Sequence, residues 1–361
     1  MNVQIRAAVS PGEIRVAAVA GETLLDFALW RPGRPDGVED LHRGRVAAVA
    51  PSLAGCFVRL ADGDGFLPDS EGGKGLSEGG AVTVRVTRAA QAGKGVRLSA
   101  RGLEQTEGDA PVLLARGPGA LRELAAFYPD APILIDDAAT LARLRSEWGG
   151  RLRLVPQAFD DALESEVAAL FESSVKLSGG AMIHIEPTRA LVAIDLDSGL
   201  GGGREARANA HFAANRALLP ELVRQIRLRD LAGTILVDFA GLPARKRASL
   251  GPELTALLAS DPRAPRLAGF TPMGLAEIVR TRRHPPLHEL SQGPHATGLR
   301  ALCEAARLPQ RPWRLRALPA IIEALERDPV ALAAFAHGAV YGVQLQADPG
   351  LSAPFYLIEE A

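Results

Sequence analysis

The chain has 361 residues, 47% of them hydrophobic and 23% charged, which is the composition of a globular protein with two or three domains. Its formal net charge of −1 excludes a global basic field of the kind that attracts nucleic acid. Cys56 and Cys303 have no metal-ligand spacing, and no apolar run or leader sequence stands out. We therefore expect a reduced, cytoplasmic chain that does not enter a membrane.

The first hundred residues are predicted to be rich in β-structure. Residues 1–36 form strand-like runs, and residues 38–102 contain short strand-like runs separated by Gly, Asp and Ser turns. We predict a small β-barrel over residues 38–102. Residues 111–177 alternate between strand-like and helix-like patterns, which predicts an α/β region. Only a short linker, residues 103–110, separates the barrel from it.

Two strand-like runs in the second half of the chain end in carboxylates. The first contains Asp195 and Asp197, and the second contains Asp238. Because side chains alternate along a strand, each aspartate projects away from the apolar face of its own run. If the two strands are neighbours, two or three carboxylates converge, and a cation such as Mg²⁺ or Mn²⁺ is their natural partner. The alternative is that these aspartates start turns or cap helices.

The loop after the first acidic strand, residues 199–204, is rich in glycine. A strand followed by such a loop also resembles a dinucleotide-binding turn. Asp195 and Asp197 argue against this interpretation, because they would repel a pyrophosphate. Farther on, Pro220 lies in a helical stretch that it should kink or restart.

Residues 178–287 resemble the catalytic region of the ribonuclease E/G family. The similarity lies in ordered blocks at 178–181, 185–191, 193–198, 224–233, 237–239 and 274–282. The resemblance implies that Asp195 and Asp238 bind a catalytic Mg²⁺, with Asp197 as a further catalytic residue where the family usually has Asn. It also implies that the barrel is an OB-fold whose Phe57, Phe66 and Lys94 face RNA. The alternative for each Phe is a place in the barrel core.

Two family features are missing from the sequence. The linker at 103–110 is too short for a subdomain that senses the 5′ monophosphate of RNA. No Cys-Pro-x-Cys zinc link follows residue 287, so we expect no zinc and no zinc-linked oligomer. Arg280 and Arg282, on a predicted helix after Gly274, are candidate phosphate contacts, with a solvated helix face as the alternative.

The expected fold is a multi-subdomain α/β (α+β) chain. It combines a ribonuclease-H-like subdomain at 1–37 and 111–177, an OB-fold at 38–102, a nuclease-like subdomain at 178–288 and a small C-terminal subdomain at 289–361. The resemblance implies a magnesium-dependent endoribonuclease that cleaves single-stranded RNA in processing or decay without 5′-monophosphate sensing. The alternative is an RNA-binding protein with a degenerate, inactive site, since the loop and helix after residue 198 depart from the family.

Overall fold

The computed structural model describes residues 2–91, 93–199, 206–239 and 241–361. The strands in chain order are β1 (Val3–Ser10), β2 (Glu13–Ala20), β3 (Thr23–Trp30), β4 (Leu41–Ala50), β5 (Gly55–Leu60), β6 (Gly63–Pro68), β7 (Ala81–Arg88), β8 (Val96–Ser99), β9 (Val112–Ala115), β10 (Ile133–Ile135), β11 (Leu152–Leu154), β12 (Ser174–Lys176), β13 (Met182–Pro187), β14 (Val192–Asp197), β15 (Gly233–Phe239), β16 (Arg266–Phe270), β17 (Ala276–Arg280), β18 (Trp313–Ala317), β19 (Val343–Ala347) and β20 (Tyr356–Glu360).

The helices in chain order are α1 (Gly119–Phe127), α2 (Ala138–Trp148), α3 (Asp161–Ala169), α4 (Ala206–Leu228), α5 (Ala244–Ala248), α6 (Gly251–Leu258), α7 (Leu287–Leu290), α8 (Gly293–Arg307), α9 (Pro319–Glu326) and α10 (Pro329–Gly338). None of the helices in the described part of the chain is both long and apolar enough to cross a membrane. The chain divides into two compact units, one of residues 1–35, 120–172 and 287–361, the other of residues 36–119 and 173–286.

The first unit contains two sheets. One has the strand order β11-β10-β1-β2-β3, in which β1, β10 and β11 run parallel and β2 and β3 are antiparallel neighbours. Its core is built from small and β-branched side chains, including Ile5, Val16 and Ile133. The second sheet, β19-β18-β20, packs against α8, α9 and α10.

The second unit contains a barrel and an open sheet. The barrel strands follow the order β5-β6-β8-β7-β4, and a further pairing of β5 with β4 closes the ring, as expected for an OB-fold. Val58, Leu67 and Leu98 point into the barrel and are fully buried. The strand β9 pairs with β4, so residues 112–115 extend the barrel's sheet.

The open sheet has the order β12-β13-β14-β15-β17-β16. One face is covered by α4 and α6, where apolar side chains of the strands and helices form a single core. The opposite face is open, because the alternate residues of β14 are exposed. Such a one-sided sheet leaves polar side chains of several strands side by side.

One sequence prediction in this unit is wrong, and a second, a restart of the helix at Pro220, does not occur. Residues 276–280 form strand β17 instead of a helix, with the buried and half-buried residues alternating along it. Pro220 lies inside α4, which continues as one helix to Leu228 instead of restarting. Burial of residues on both sides of it, such as Leu219 and Leu222, holds α4 on the sheet and offsets the cost of a proline in a helix.

Candidate active site

Asp195 and Asp238 lie side by side on two neighbouring parallel strands. Asp195 in β14 is the direct register partner of Asp238 in β15, and the strands of a sheet are about 4.8 Å apart. Both carboxylates project from the open face of the sheet, because the residues that flank them are buried on the other face: Ile194, Leu196, Val237 and Phe239. The structure thus brings together the pair that the sequence predicted to converge.

The chemistry of this pair fits a hard divalent cation. Two carboxylates at neighbouring positions repel each other, and a cation between them relieves that repulsion. Both donors are oxygens, and a site with few protein oxygens suits Mg²⁺, which keeps water and phosphate oxygens as its other ligands. Within the described ranges, no cluster of three or more His, Cys, Asp or Glu side chains has the geometry of a metal site. Asp195 and Asp238 are a pair of oxygen donors that could hold such a cation.

Arg247 is a cationic residue at this pair that the sequence analysis did not identify. Its Nη1 donates a hydrogen bond to Oδ1 of Asp238, and its Nε donates to the carbonyl oxygen of Leu242 at 2.6 Å. The side chain of Arg247 is only 15% exposed, whereas that of Asp238 is 47% exposed. The guanidinium is thus largely buried, whereas about half of the Asp238 side chain stays accessible from solvent.

The third predicted residue, Asp197, lies at the end of β14. Its Oδ1 accepts a hydrogen bond from the backbone N–H of Gly199 at 2.9 Å. This contact is the turn-forming role that was the alternative for an aspartate at a strand end. One carboxylate oxygen of Asp197 therefore stabilises the turn. Asp197 is not part of the directly paired positions that Asp195 and Asp238 form.

His211 connects the segments that follow the two acidic strands. Its Nδ1 lies 3.2 Å from Oγ of Ser198, the residue immediately after β14. Its ring also lies against the backbone of Gly241, where an added Cβ would come within 2.8 Å of Nδ1. Gly241 has a φ of +63°, so a side chain would be disfavoured there on both grounds. This packing fixes the ends of β14 and β15 relative to α4.

The predicted RNA-facing residues of the barrel lie on its outer surface. Phe57 is 40% exposed, and its ring meets that of Phe66 edge-on with centroids 5.4 Å apart. Neither ring belongs to the barrel core, whose members come from the alternate positions of the strands. Lys94 is exposed between β7 and β8, where its backbone pairs with that of Gln91. The barrel therefore presents two rings and an ammonium group to solvent.

Arg280 and Arg282 differ sharply in their surroundings. Arg280 is buried, and its guanidinium bonds Asp261 at 2.7 Å and Asp230 at 2.5 Å. Arg280 is thus engaged in an internal network and is not presented to RNA. Arg282 follows β17 and is half-buried, and the described part of the chain places no carboxylate on it.

Comparison with known proteins shows a similarity over the region that contains the open sheet. The sequence pattern that defines the Ribonuclease E/G family matches residues 141–283, which include β14, β15 and the two aspartates. This region is similar to the ribonuclease E/G family. Ribonuclease E of Escherichia coli is 24% identical over 77% of this chain and 37% of that protein.

Shorter matches to other members of the ribonuclease E/G family are closer in identity. Ribonuclease G of Salmonella typhimurium is 30% identical over 33% of this chain and 25% of that protein. A chloroplastic ribonuclease E/G-like protein of Arabidopsis thaliana is 32% identical over 38% of this chain and 14% of that protein. The chain spans well under half the length of each of these relatives.

Sequence reasoning missed two side chains beside the aspartates, and one of them had a signal. His184 in β13 is the register partner of Asp195, and its Nδ1 lies 2.9 Å from Oγ of Ser174. The apolar neighbours Ile183 and Ile185 predict by alternation that His184 projects from the other face. Arg247 had no such signal, because its approach to the sheet depends on the path of the chain after β15.

Proposed function

We propose that this protein is a magnesium-dependent endoribonuclease that cleaves single-stranded RNA in RNA processing or decay. The observation that carries the proposal is the direct pairing of Asp195 with Asp238 on the open face of the sheet. The named activity of the relatives supports the reaction class, since they are ribonucleases E and G. Water would attack the scissile phosphodiester and leave a 5′ phosphate on the downstream product.

Within this proposal each side chain has a defined role. Asp195 and Asp238 would hold the metal, and a bound Mg²⁺ polarises a phosphate oxygen and lowers the pKa of a water ligand. Arg247 would bond one of the two oxygens of Asp238 and leave the other for the metal. Asp197 holds the turn after β14 and keeps its second oxygen for a water molecule or the metal.

The barrel would bind the RNA strand that the sheet cleaves. Aromatic rings on an OB-fold surface stack unpaired bases, and a lysine binds phosphate. Phe57, Phe66 and Lys94 supply these groups, and all three lie outside the barrel core. Single-stranded RNA is the partner that such a surface favours, because bases within a duplex are not available for stacking on side chains.

We further propose that cleavage does not depend on a 5′ monophosphate. The linker at 103–110 lies along the barrel: the Gln105 side chain accepts a hydrogen bond from the Thr83 N–H at 2.8 Å, and the carbonyl of Asp109 accepts one from Arg43. These contacts hold the linker on the surface of the barrel. The linker is therefore too short to contain a separate phosphate-sensing subdomain at this place in the sequence.

The remaining organisation is also a proposal. We assign residues 1–37 and 111–177 to a ribonuclease-H-like subdomain, which the sheet order β11-β10-β1-β2-β3 supports. We assign no zinc to the chain and no zinc-linked oligomer, because His295, in the segment where a zinc link would lie, bonds the buried Asp328 at 2.9 Å. Cytoplasmic location is supported by two cysteines that form no disulfide.

The test is cleavage of a fluorescent, A/U-rich single-stranded RNA in Mg²⁺ by the wild type, Asp195→Asn and Asp238→Asn. Asn keeps the size of the side chain and removes its charge, so each variant should lose cleavage while still binding the RNA. Glu186→Gln is a matched control, because Glu186 is an exposed carboxylate on β13 of the same sheet. Cleavage by both Asn variants at the wild-type rate would overturn the proposal.

A second candidate function is RNA binding by a chain whose nuclease site is inactive. The ion pair of Arg247 with Asp238 favours it, since the guanidinium occupies one oxygen that a metal could use. The same experiment separates the two candidates. Tight RNA binding without cleavage by wild type and by both Asn variants would identify the binding protein.

A further inference from the structure

The outer surface of the barrel carries a row of four side chains that crosses four strands. Phe57 on β5 is the register partner of Phe66 on β6, and Phe66 is the partner of Arg97 on β8. Arg97 in turn is the partner of Arg88 on β7. Residues directly opposite one another in paired strands project to the same face. Two aromatic rings and two guanidinium groups therefore follow one another across a span of about 15 Å.

A third arginine extends this row beyond the barrel. The N–H of Ala89 donates to the carbonyl oxygen of Arg283 at 2.8 Å, so the segment after β17 is joined to the end of β7. Besides burial, the charge of Arg282 lowers the pKa of Arg88, so Arg282 lies close to Arg88. Arg282 is held against the backbone of Gly233, where an added Cβ would lie 2.5 Å from its Nε. We call Arg88, Arg97 and Arg282 the arginine row.

The arginine row brings three positive charges close together. Arg88 donates one hydrogen bond, to the carbonyl oxygen of Gly95 at 3.3 Å, and its buried Nε has no partner. Across the described ranges, no ion pair forms on any of the three guanidinium groups, whereas the neighbouring Arg85 and Arg283 both pair with Glu39. Burial lowers the pKa of Arg88, and the charges of Arg97 and Arg282 lower it further. An anion with several oxygens would satisfy the free donors and relieve the repulsion.

We propose that the arginine row and the Phe57–Phe66 pair form one binding track for single-stranded RNA, with bases stacked on the rings and phosphates bound by the guanidinium groups. The rings and the cations are continuous, which favours RNA over a small anion. A phosphate alone would bind the guanidinium groups but would make no stacking contact with Phe57 and Phe66. This inference rests on the proposed function for its ligand, and it adds a phosphate-binding surface made of Arg88, Arg97 and Arg282.

The test is the salt dependence of RNA binding by the full chain. Binding of a fluorescein-labelled 15-nucleotide A/U RNA is measured by anisotropy in EDTA, without Mg²⁺, from 50 to 300 mM KCl. Arg97→Gln and Arg282→Gln should each weaken binding several-fold at 100 mM KCl. Each should also reduce the slope of log K against log salt by about 0.7, the value for one phosphate contact on a single strand.

Arg59→Gln is the matched control, because Arg59 is an exposed arginine of the same barrel, 64% accessible and paired with Asp64. It should leave both affinity and slope unchanged. Arg88 is half-buried, so Arg88→Gln could disturb folding. Arg88→Lys is therefore measured beside it, and it should keep part of the slope of log K against log salt because the positive charge is retained. Equal slopes for the wild type, Arg97→Gln, Arg282→Gln and Arg59→Gln would overturn the proposal.

Two features of the experiment distinguish the RNA-binding track from the nuclease proposal and from a general anion site. Because binding is measured in EDTA, a chain that cleaves nothing can still show the reduced slopes, so failure of the nuclease proposal leaves the track standing. Inorganic tripolyphosphate is the competing probe. Full competition by tripolyphosphate together with unchanged RNA binding by Phe57→Ala would show a general anion site and overturn the RNA track.

Discussion

Arg247 bonds the carboxylate of Asp238, one of the two aspartates that lie side by side on β14 and β15. The Arg247–Asp238 ion pair implies a competition at the site, because a metal ion and the guanidinium would both bind the Asp238 carboxylate. Asp238 is nearly half exposed, so solvent screens the ion pair and its contribution is small, about 0.2–1 kcal/mol. A divalent cation can therefore bind beside Arg247 without first breaking a strong interaction.

The substitution Arg247→Gln tests this competition. Removing the guanidinium frees both oxygens of Asp238, so the Mg²⁺ concentration that gives half-maximal thermal stabilisation should fall about two- to five-fold. Metal-dependent melting of the protein without RNA measures the effect. Arg245→Gln on the same short helix is the control, because Arg245 is exposed. A higher Mg²⁺ requirement in Arg247→Gln would show that Arg247 supports the metal site instead of competing with it.

The exposed ring of Phe57 predicts a loss of RNA affinity without a loss of stability. Phe57→Ala removes one stacking face, which is worth about 1–3 kcal/mol per base. The dissociation constant for single-stranded RNA should rise at least five-fold while the melting temperature changes little. Val49→Ala removes another exposed apolar side chain of the barrel, 42% accessible, and should leave RNA binding unchanged. Equal effects of the two substitutions would argue against a role of the Phe57 ring in stacking.

Arg280 and Arg282 should respond in opposite ways to the same substitution. Arg280→Gln leaves the buried carboxylate of Asp261 without its arginine and takes from Asp230 one of two arginines, since Arg263 also pairs with Asp230, which should cost about 3–5 kcal/mol of unfolding free energy. Arg282→Gln should leave the unfolding free energy nearly unchanged, since no ion pair is lost. Urea denaturation of both variants gives the comparison. Similar stabilities of the two variants would contradict the buried network.

The same network predicts a dependence of stability on pH. Burial would raise the pKa of Asp261, but hydrogen bonding and the charge of Arg280 outweigh burial and hold the pKa below its ordinary value of 3.8. The stabilisation is therefore complete above about pH 4 and is lost as the pH falls through the lowered pKa. The difference in unfolding free energy between the wild type and Asp261→Asn should be larger at pH 7 than at pH 3. A difference that grows on acidification would have the wrong sign for this explanation.

Much of the site could be predicted because alternation along a strand is a local property. The apolar residues around Asp195 and Asp238 already predict from which face of the sheet each carboxylate projects, and the structure confirms both strands. Strand β17 was predicted as a helix although Ile278 and Val279 are β-branched. Two adjacent β-branched residues favour a strand over a helix at this position.

Other features depend on tertiary contacts that no local pattern contains. Arg247 reaches Asp238 only because α5 folds back over the end of β15. The alignment of Phe66 with Arg97 depends on the register between β6 and β8, which are distant in sequence. The predicted glycine-rich loop lies, apart from Gly199, outside the described residues.

The most direct measurement is linearisation of a circular single-stranded RNA in Mg²⁺, followed by identification of the new 5′ end. A circle has no terminus to sense or to degrade from, so only an endonuclease can open it. The account predicts linear RNA with a 5′ phosphate from the wild type, and intact circles from Asp195→Asn, from Asp238→Asn and in EDTA. Circles that stay intact with the wild type, while bound tightly by it, would contradict the central claim that this paired aspartate site cleaves RNA.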